Sequence, residues 1–243
     1  MLVALSHASA DLMYIESGGI ISGEAEIFTD RQALGDGRTW TIVPTEASGS
    51  SAIGNSRNGS FIAALPDLST GGLGPLTAPQ ITYKLQISTP GSYRLFTLWA
   101  KDTNINGGGN SDSWFSDIVE LKDGTAPAFG TGGNLIPDWY EQATRNGGDF
   151  IANDWDGGGQ AEVNQASDNN SPVVWDIPSA GVYTLRFTVR EDGVAVDAFV
   201  FQRANLPAPT GNGPAMSQVI PEPSSLGLLL VGGLLLYRKT RRH

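Results

Sequence analysis

Two runs of strict alternation fix the kind of fold this chain can adopt. Ile81, Tyr83, Leu85 and Ile87 are separated by Thr82, Lys84 and Gln86; Tyr183, Leu185, Phe187 and Val189 are separated by Thr184, Arg186 and Thr188. Apolar residues at every second position share one face of a strand, so each run belongs to a sheet with one buried and one polar face. No stretch of the body carries a sustained 3.6-residue apolar period. The 31 glycines and 14 prolines supply the turns that many short strands require. The reading is all-β, an antiparallel β-sandwich of the single-domain size ordinary for that class.

A local pattern occurs twice, as Ile87-x3-Gly91-x-Tyr93-x-Leu95 and as Ile177-x3-Gly181-x-Tyr183-x-Leu185. Two similar strand-turn-strand units suit an antiparallel sandwich. Arg190-Glu191-Asp192-Gly193 then supplies a turn, with Asp-Gly as its signal, into a further strand from Val194 to Phe201. Long polar loops rich in Gly, Asn, Asp and Ser fall at 48–60, 102–112 and 152–170. Loops held by a rigid scaffold are where binding usually resides.

Composition removes several functions. There is no cysteine, and the two histidines, His7 and His243, lie in the terminal segments, so the body has neither. His-assisted serine or cysteine hydrolysis and His- or thiolate-ligated metals are excluded from it. Ahead of Pro221 the chain carries eleven basic against 24 acidic residues, a net charge of −13. Such a domain repels a phosphate backbone, since non-specific nucleic-acid affinity comes from Lys and Arg displacing counterions. Neutral sugars and divalent cations remain as partners.

The ends read as sorting segments. Leu2 to Leu5 are apolar, and Ala8-Ser9-Ala10 has the small-x-small form of a signal-peptidase site, so residues 1–10 are expected to be the remnant of a secretory leader. Domain 11–205 follows, then a Pro/Gly linker at 206–219. Residues 220–243 contain Pro221-Glu222-Pro223, a 12-residue apolar run at 226–237, and the basic cluster Arg238, Lys239, Arg241 and Arg242. As a helix the run would extend about 18 Å, short of the roughly 30 Å hydrocarbon core, and the basic cluster would hold its end on the cytoplasmic side. This order resembles the PEP-CTERM sorting signal. The resemblance implies export, transient inner-membrane anchoring through a short transmembrane-like helix, an exosortase-type processing partner, and a place at the cell envelope or outer surface.

The body also has a family likeness. Gly23-Glu24-Ala25-Glu26-Ile27-Phe28-Thr29 followed by Trp40-Thr41-Ile42-Val43-Pro44 is similar to the opening of galactose-binding-like jelly rolls, in particular carbohydrate-binding modules of the family 6 and 35 type. Tyr93 to Trp99, Asn110 to Trp114, Trp155, Gly181 to Leu185, and Arg190 through Val200 fit the same template in order. The resemblance implies a structural calcium held by Glu24, Glu26 and Asp197; hard oxygen donors suit Ca²⁺. The alternative is that Glu24 and Glu26, two apart, share an outward solvated face. A sugar ring needs an aromatic plate and planar polar partners, and Trp114, Trp139 and Trp155 with Asn110, Asp112 and Asn153 supply such a set. The alternative for each Trp is a core position. The loop beginning Asp154-Trp155-Asp156-Gly157-Gly158 fails as an EF-hand, since Gly158 and Gln165 stand where ligands are needed.

Two function classes follow. The first is a non-catalytic, surface-displayed module contacting exopolysaccharide or envelope glycan, with a purely structural surface domain as its ligand-free variant. The second is a glycan-cleaving enzyme. It would need two carboxyls about 5–9.5 Å apart, for which Asp112, Asp154, Asp156 and Glu162 are candidates by loop position only.

Overall fold

The computed structural model describes residues 12–47, 53–68, 73–74, 77–101, 111, 113–121, 140–142, 150, 155, 160–161 and 174–222. They form fourteen strands: β1 (Leu12–Ile15), β2 (Ile20–Glu24), β3 (Asp30–Gln32), β4 (Thr39–Val43), β5 (Phe61–Leu65), β6 (Gln80–Ile87), β7 (Gly91–Lys101), β8 (Trp114–Ile118), β9 (Tyr140–Gln142), β10 (Gln160–Ala161), β11 (Trp175–Ile177), β12 (Gly181–Val189), β13 (Val194–Arg203) and β14 (Val219–Pro221). One sheet has the order β10-β9-β8-β12-β6-β1-β14, with β3 beside another stretch of β6; the second runs β11-β7-β13-β5-β4, with β2 beside β13. The all-β sandwich is therefore observed, with β6 and β12 where alternation places strands and β13 after the Asp-Gly turn. The expected short helix over 226–237 lies outside the described residues.

Among the described pairs, β1 and β6 run parallel and the others antiparallel. The chain leaves β1 for the other sheet at β2 before it reaches β6, so no hairpin dictates the direction.

The twice-occurring pattern builds two arches, each crossing from one sheet to the other. β6 in the first sheet leads to β7 in the second, and β11 in the second leads to β12 in the first. The copies pair with each other: Ile87 lies opposite Gly181, and Gly91 opposite Ile177. In both, the tyrosine hydroxyl donates back to a carbonyl four residues upstream, Tyr93 to Thr89 at 2.7 Å and Tyr183 to Ser179 at 2.8 Å. The shared spacing thus encodes an arch across one end of the sandwich rather than a hairpin.

The core between the sheets takes Ile81, Tyr83, Leu85 and Ile87 from β6, Leu185, Phe187 and Val189 from β12, and Leu95, Trp99, Val196, Phe199 and Phe201 from β7 and β13. The outer face of the second sheet is also covered. Phe96, Leu98, Ala198 and Val200 pack beneath Trp155, while Phe61, Ala63, Ala100 and Ala195 pack with Phe150. Burial on both faces explains why β13 is apolar almost without alternation.

Residues 206–219, expected as a linker, are bonded into the sandwich. Gln202 donates to the Pro207 carbonyl at 2.7 Å, Trp155 Nε1 to that of Gly211 at 3.1 Å, and the Ser22 hydroxyl to that of Pro214 at 3.2 Å. Ser22 and Ser217 exchange two further bonds. The strap then enters β14, which pairs with β1 so that Pro221 lies opposite Leu12. The last described strand therefore reaches the first residue of the Pro-Glu-Pro motif.

Candidate functional site

The acidic residues of β2 meet β13 at an irregularity. Along β13 the neighbour on one side changes from β5, which pairs Ala195 and Val196, to β2, which pairs Ala198 to Gln202. The pairing with β7 shifts register between Val196 and Ala198, leaving Asp197 as an extra residue. Such a bulge re-aims a side chain and resets alternation. Val196 and Phe199 both face the core, with Asp197 and Ala198 between them.

Two tyrosines from the core hold the turn that follows β2. Tyr14 donates to the carbonyls of Glu24 and Ile27, each at 3.0 Å, and Tyr83 to that of Ala25 at 2.8 Å. The Ala25 amide in turn donates to the Asp197 carbonyl at 2.9 Å. Glu24, Glu26 and Asp197 are thereby brought to one place from β2, its following turn and the bulge.

Each carboxylate has a free oxygen. Glu24 Oε1 accepts from Arg57 Nε at 2.9 Å, from Arg57 Nη2 at 2.5 Å and from Asn58 Nδ2 at 2.5 Å; Asp197 Oδ2 accepts from the Arg57 amide at 2.8 Å. The buried atoms Glu24 Oε2, Glu26 Oε2 and Asp197 Oδ1 find no hydrogen-bond partner among the described residues. Buried polar atoms are rarely left so, and one guanidinium stands against three carboxylates. Burial, then the charges of Glu24 and Asp197, push the Glu26 carboxyl up to about 7; burial, then Glu24, push Asp197 up to about 7. Burial with the same two glutamates also raises the Tyr14 phenol.

A hard cation answers this donor set, since Ca²⁺ takes carboxylate oxygens and removes the repulsion among them. Among the described residues no three acidic side chains are placed to hold a metal ion as they stand, so a cation would have to draw the three free oxygens inward. The alternative of a shared solvated face for Glu24 and Glu26 holds only in part: Glu24 is 4% exposed, while Glu26 is half-buried. Beside the cluster opens a cleft of about 350 Å³ lined by Glu24, Arg57, Asn58 and residues 212–216 of the strap.

The residues singled out for sugar contact separate. Trp114 is fully buried, edge-on to Trp99 at 5.1 Å and to Phe187 at 6.2 Å between ring centroids, so its ring offers no face to a ligand. Trp155 is 8% exposed and lies under the strap, against Gly213, with the Arg57 guanidinium 6.0 Å from its ring. It plugs the outer face of the second sheet, where an indole covers apolar surface and spends its N–H on a carbonyl. Asn110, Asp112, Trp139 and Asn153 lie outside the described residues, as do Pro223, Arg238, Lys239, Arg241 and Arg242. Arg57, Asn58 and the strap were not legible as site residues: a lone Arg in a Ser/Gly/Asn loop carries no spacing signal.

Trp155→Ala should destabilise the domain by about 3–5 kcal/mol by opening a cavity under the strap. Trp155→Phe, which keeps most of the packing and loses the bond to Gly211, should cost nearer 1 kcal/mol. Urea unfolding of the two variants checks the order.

No family model matches the chain, and no curated protein matches it. Solved structures with a similar course include the C-terminal family 6 carbohydrate-binding module of LamC, a marine laminarinase from Zobellia galactanivorans, at 12% identity over 76% of this chain and 99% of that one, with a TM-score of 0.35. Another is the module CBM6cm-2 of Cellvibrio mixtus lichenase 5A in complex with cellotriose, at 12% identity over 76% and 97%, TM-score 0.34. A third is the Arthrobacter globiformis T6 isomalto-dextranase complexed with panose, at 10% identity over 75% of this chain and 23% of that one, TM-score 0.37. At such scores the comparisons carry no argument about function, and the fold assignment rests on the sheet order above.

Proposed function

We propose that this chain is an exported, surface-associated and non-catalytic β-sandwich that holds a structural Ca²⁺ at Glu24, Glu26 and Asp197 and binds polysaccharide or envelope glycan. The observation that carries the reading is the trio of buried carboxylate oxygens at the β13 bulge. A calcium bound there would supply charge neutralisation, while Arg57 and Asn58 hold the other oxygen of Glu24 and the Arg57 amide that of Asp197. Other buried carboxylates accept bracing bonds, although Glu16 Oε1 is likewise without a partner. Asp117 is forked by Arg186 at 2.9 and 3.0 Å, Asp192 takes the Leu68 amide and Arg38, and Glu16 takes the amides of Ser88 and Thr89. This supports a binding role over carboxylate catalysis, which needs an acid and a base facing one substrate.

Export, the exosortase-type partner and transient membrane anchoring rest on the order of the terminal segments. The first and last described strands, β1 at Leu12–Ile15 and β14 at Val219–Pro221, pair with each other, which is compatible with that order. The glycan contacts proposed are Asn110, Asp112, Trp139 and Asn153, with Trp114 and Trp155 assigned to packing.

A glycan array probed with the full chain, with and without chelator, tests the function. Binding to a polysaccharide that Trp139→Ala abolishes is the expected result. No binding to any glycan, in calcium or without it, would leave the purely structural surface domain as the better reading.

A further inference from the structure

Arg57 touches both the acidic cluster and the C-terminal strap. Its amide is held by Asp197 Oδ2 at 2.8 Å, its Nε and Nη2 by Glu24 Oε1 at 2.9 and 2.5 Å, and its Nη1 by the Asn212 carbonyl at 3.0 Å. Its guanidinium also faces the ring of Trp155, whose Nε1 donates to the adjacent Gly211 carbonyl at 3.1 Å and whose ring is so close to Gly213 that a Cβ there would stand 3.0 Å from Cη2. Pro214 and Ser217 then bond to Ser22, two residues ahead of Glu24 on β2. The strap is thus fastened by residues whose positions the cluster sets. The oxygens that a cation would take, Glu24 Oε2 and Asp197 Oδ1, are the partners of the very oxygens that hold Arg57.

We propose that Arg57 transmits divalent-cation binding from the β13 bulge to the strap 206–218, clamping the strap to the sandwich in the loaded protein and letting it open more readily in the metal-free one. The proposal rests on the calcium reading above and extends it to regulation. A cation drawing in the free oxygens fixes both carboxylates without competing for the oxygens bonded to Arg57. The guanidinium, held by Glu24, then keeps its grip on Asn212. Linkage makes the effect reciprocal: whatever favours the closed strap favours the cation to the same degree. The strap runs directly into β14, whose last residue is Pro221, so cation occupancy also sets how readily β14, with the first residue of the motif, leaves the edge of β1. A processing enzyme acting at that motif would meet a seated strand in the loaded protein and a looser one in the metal-free form.

Hydrogen exchange across 206–222, measured on the full chain beside a calorimetric calcium titration, tests this. In the natural protein calcium should bind and slow strap exchange by about tenfold, within the usual range of coupling between sites. In Arg57→Met, brought to saturating calcium as its own titration reads, the ion should slow the strap less than about twofold. Binding without slowing in the natural protein, or slowing that survives in Arg57→Met, would overturn the coupling and leave the calcium reading standing. Absence of calcium binding in the natural protein would overturn both. Protection of the β12 amides reports whether Arg57→Met is folded. If it is not, Arg57→Lys, which keeps a cation beside Glu24 but cannot also fork to Asn212, is expected to show the same loss of slowing, and full slowing in it would overturn the proposal.

Discussion

Asp197→Asn should make the metal-free domain more stable above pH 7 and at the same time abolish its response to calcium. The native state holds the protons of Asp197 and Glu26 up to about pH 7, whereas the unfolded chain gives them up near the ordinary values of 3.8 and 4.5. Their contribution is therefore fully present below about pH 4 and is lost as pH rises through about 7. Metal-free protein should lose on the order of a few kcal/mol across that window. An amide at 197 still accepts from the Arg57 N–H but carries no charge, so the variant escapes Asp197's share of that loss. In calcium the ranking reverses. A cation at a hundredfold excess over its Kd stabilises the natural protein by about 2.7 kcal/mol, and the variant should gain almost none of it. Thermal melts at pH 5 and pH 8, in chelator and in calcium, give all four comparisons.

Gly23→Ala should cost about 3 kcal/mol, at the upper end of what overpacking a core usually costs. Gly23 pairs with Phe199 on β13, and a Cβ there would overlap the edge of the Phe199 ring and lie 2.9 Å from that of Tyr14. The ring has nowhere to go. Tyr83 stands 4.7 Å from its centroid, Tyr14 5.4 Å and Phe187 6.2 Å. Any displacement of Tyr14 also disturbs the hydroxyl that fixes the turn carrying Glu24, so the variant should lose calcium affinity along with stability. Denaturant unfolding read in parallel with a calcium titration checks both. A fully stable Gly23→Ala would mean that the aromatic cluster is looser than these distances allow.

The residues most legible in the sequence were those whose environment repeats with the strand. Alternation at 81–87 and 183–189 gave β6 and β12 almost to the residue, because one face of each meets the core and the other faces outward. β13 was harder: both its faces are covered, and its alternation is reset by one residue at Asp197, so an apolar run is all that shows. The two Ile-x3-Gly-x-Tyr-x-Leu units were visible as units. That they pair with each other and cross between sheets was not, since spacing within a segment carries no information about which distant segment lies beside it.

The candidate site divides in the same way. Glu24, Glu26 and Asp197 come from the family likeness and lie near enough to act on one another's charge, whereas the residue that binds Glu24 and Asp197 to the rest of the molecule, Arg57, sits alone in a polar loop. Trp114 and Trp155 illustrate the limit of composition near loops. A tryptophan beside a Gly/Asn-rich segment fits a sugar plate and a core plug equally well until burial is known. The strap at 206–219 misled for a related reason. Proline and glycine there shape a chain lying flat on a sheet, where carbonyls accept from Gln202, Trp155 and Ser22, and the same composition describes a free linker.

A crystal structure of the full chain grown in calcium addresses the central claim most directly. The predicted result is one cation between β2 and the bulge, at about 2.3–2.6 Å from Glu24 Oε2, Glu26 Oε2 and Asp197 Oδ1, with Arg57 still bonded to Glu24 and Asn212. Three carboxylates left without a cation at saturating calcium, with a side chain or water filling the space between them, would contradict it.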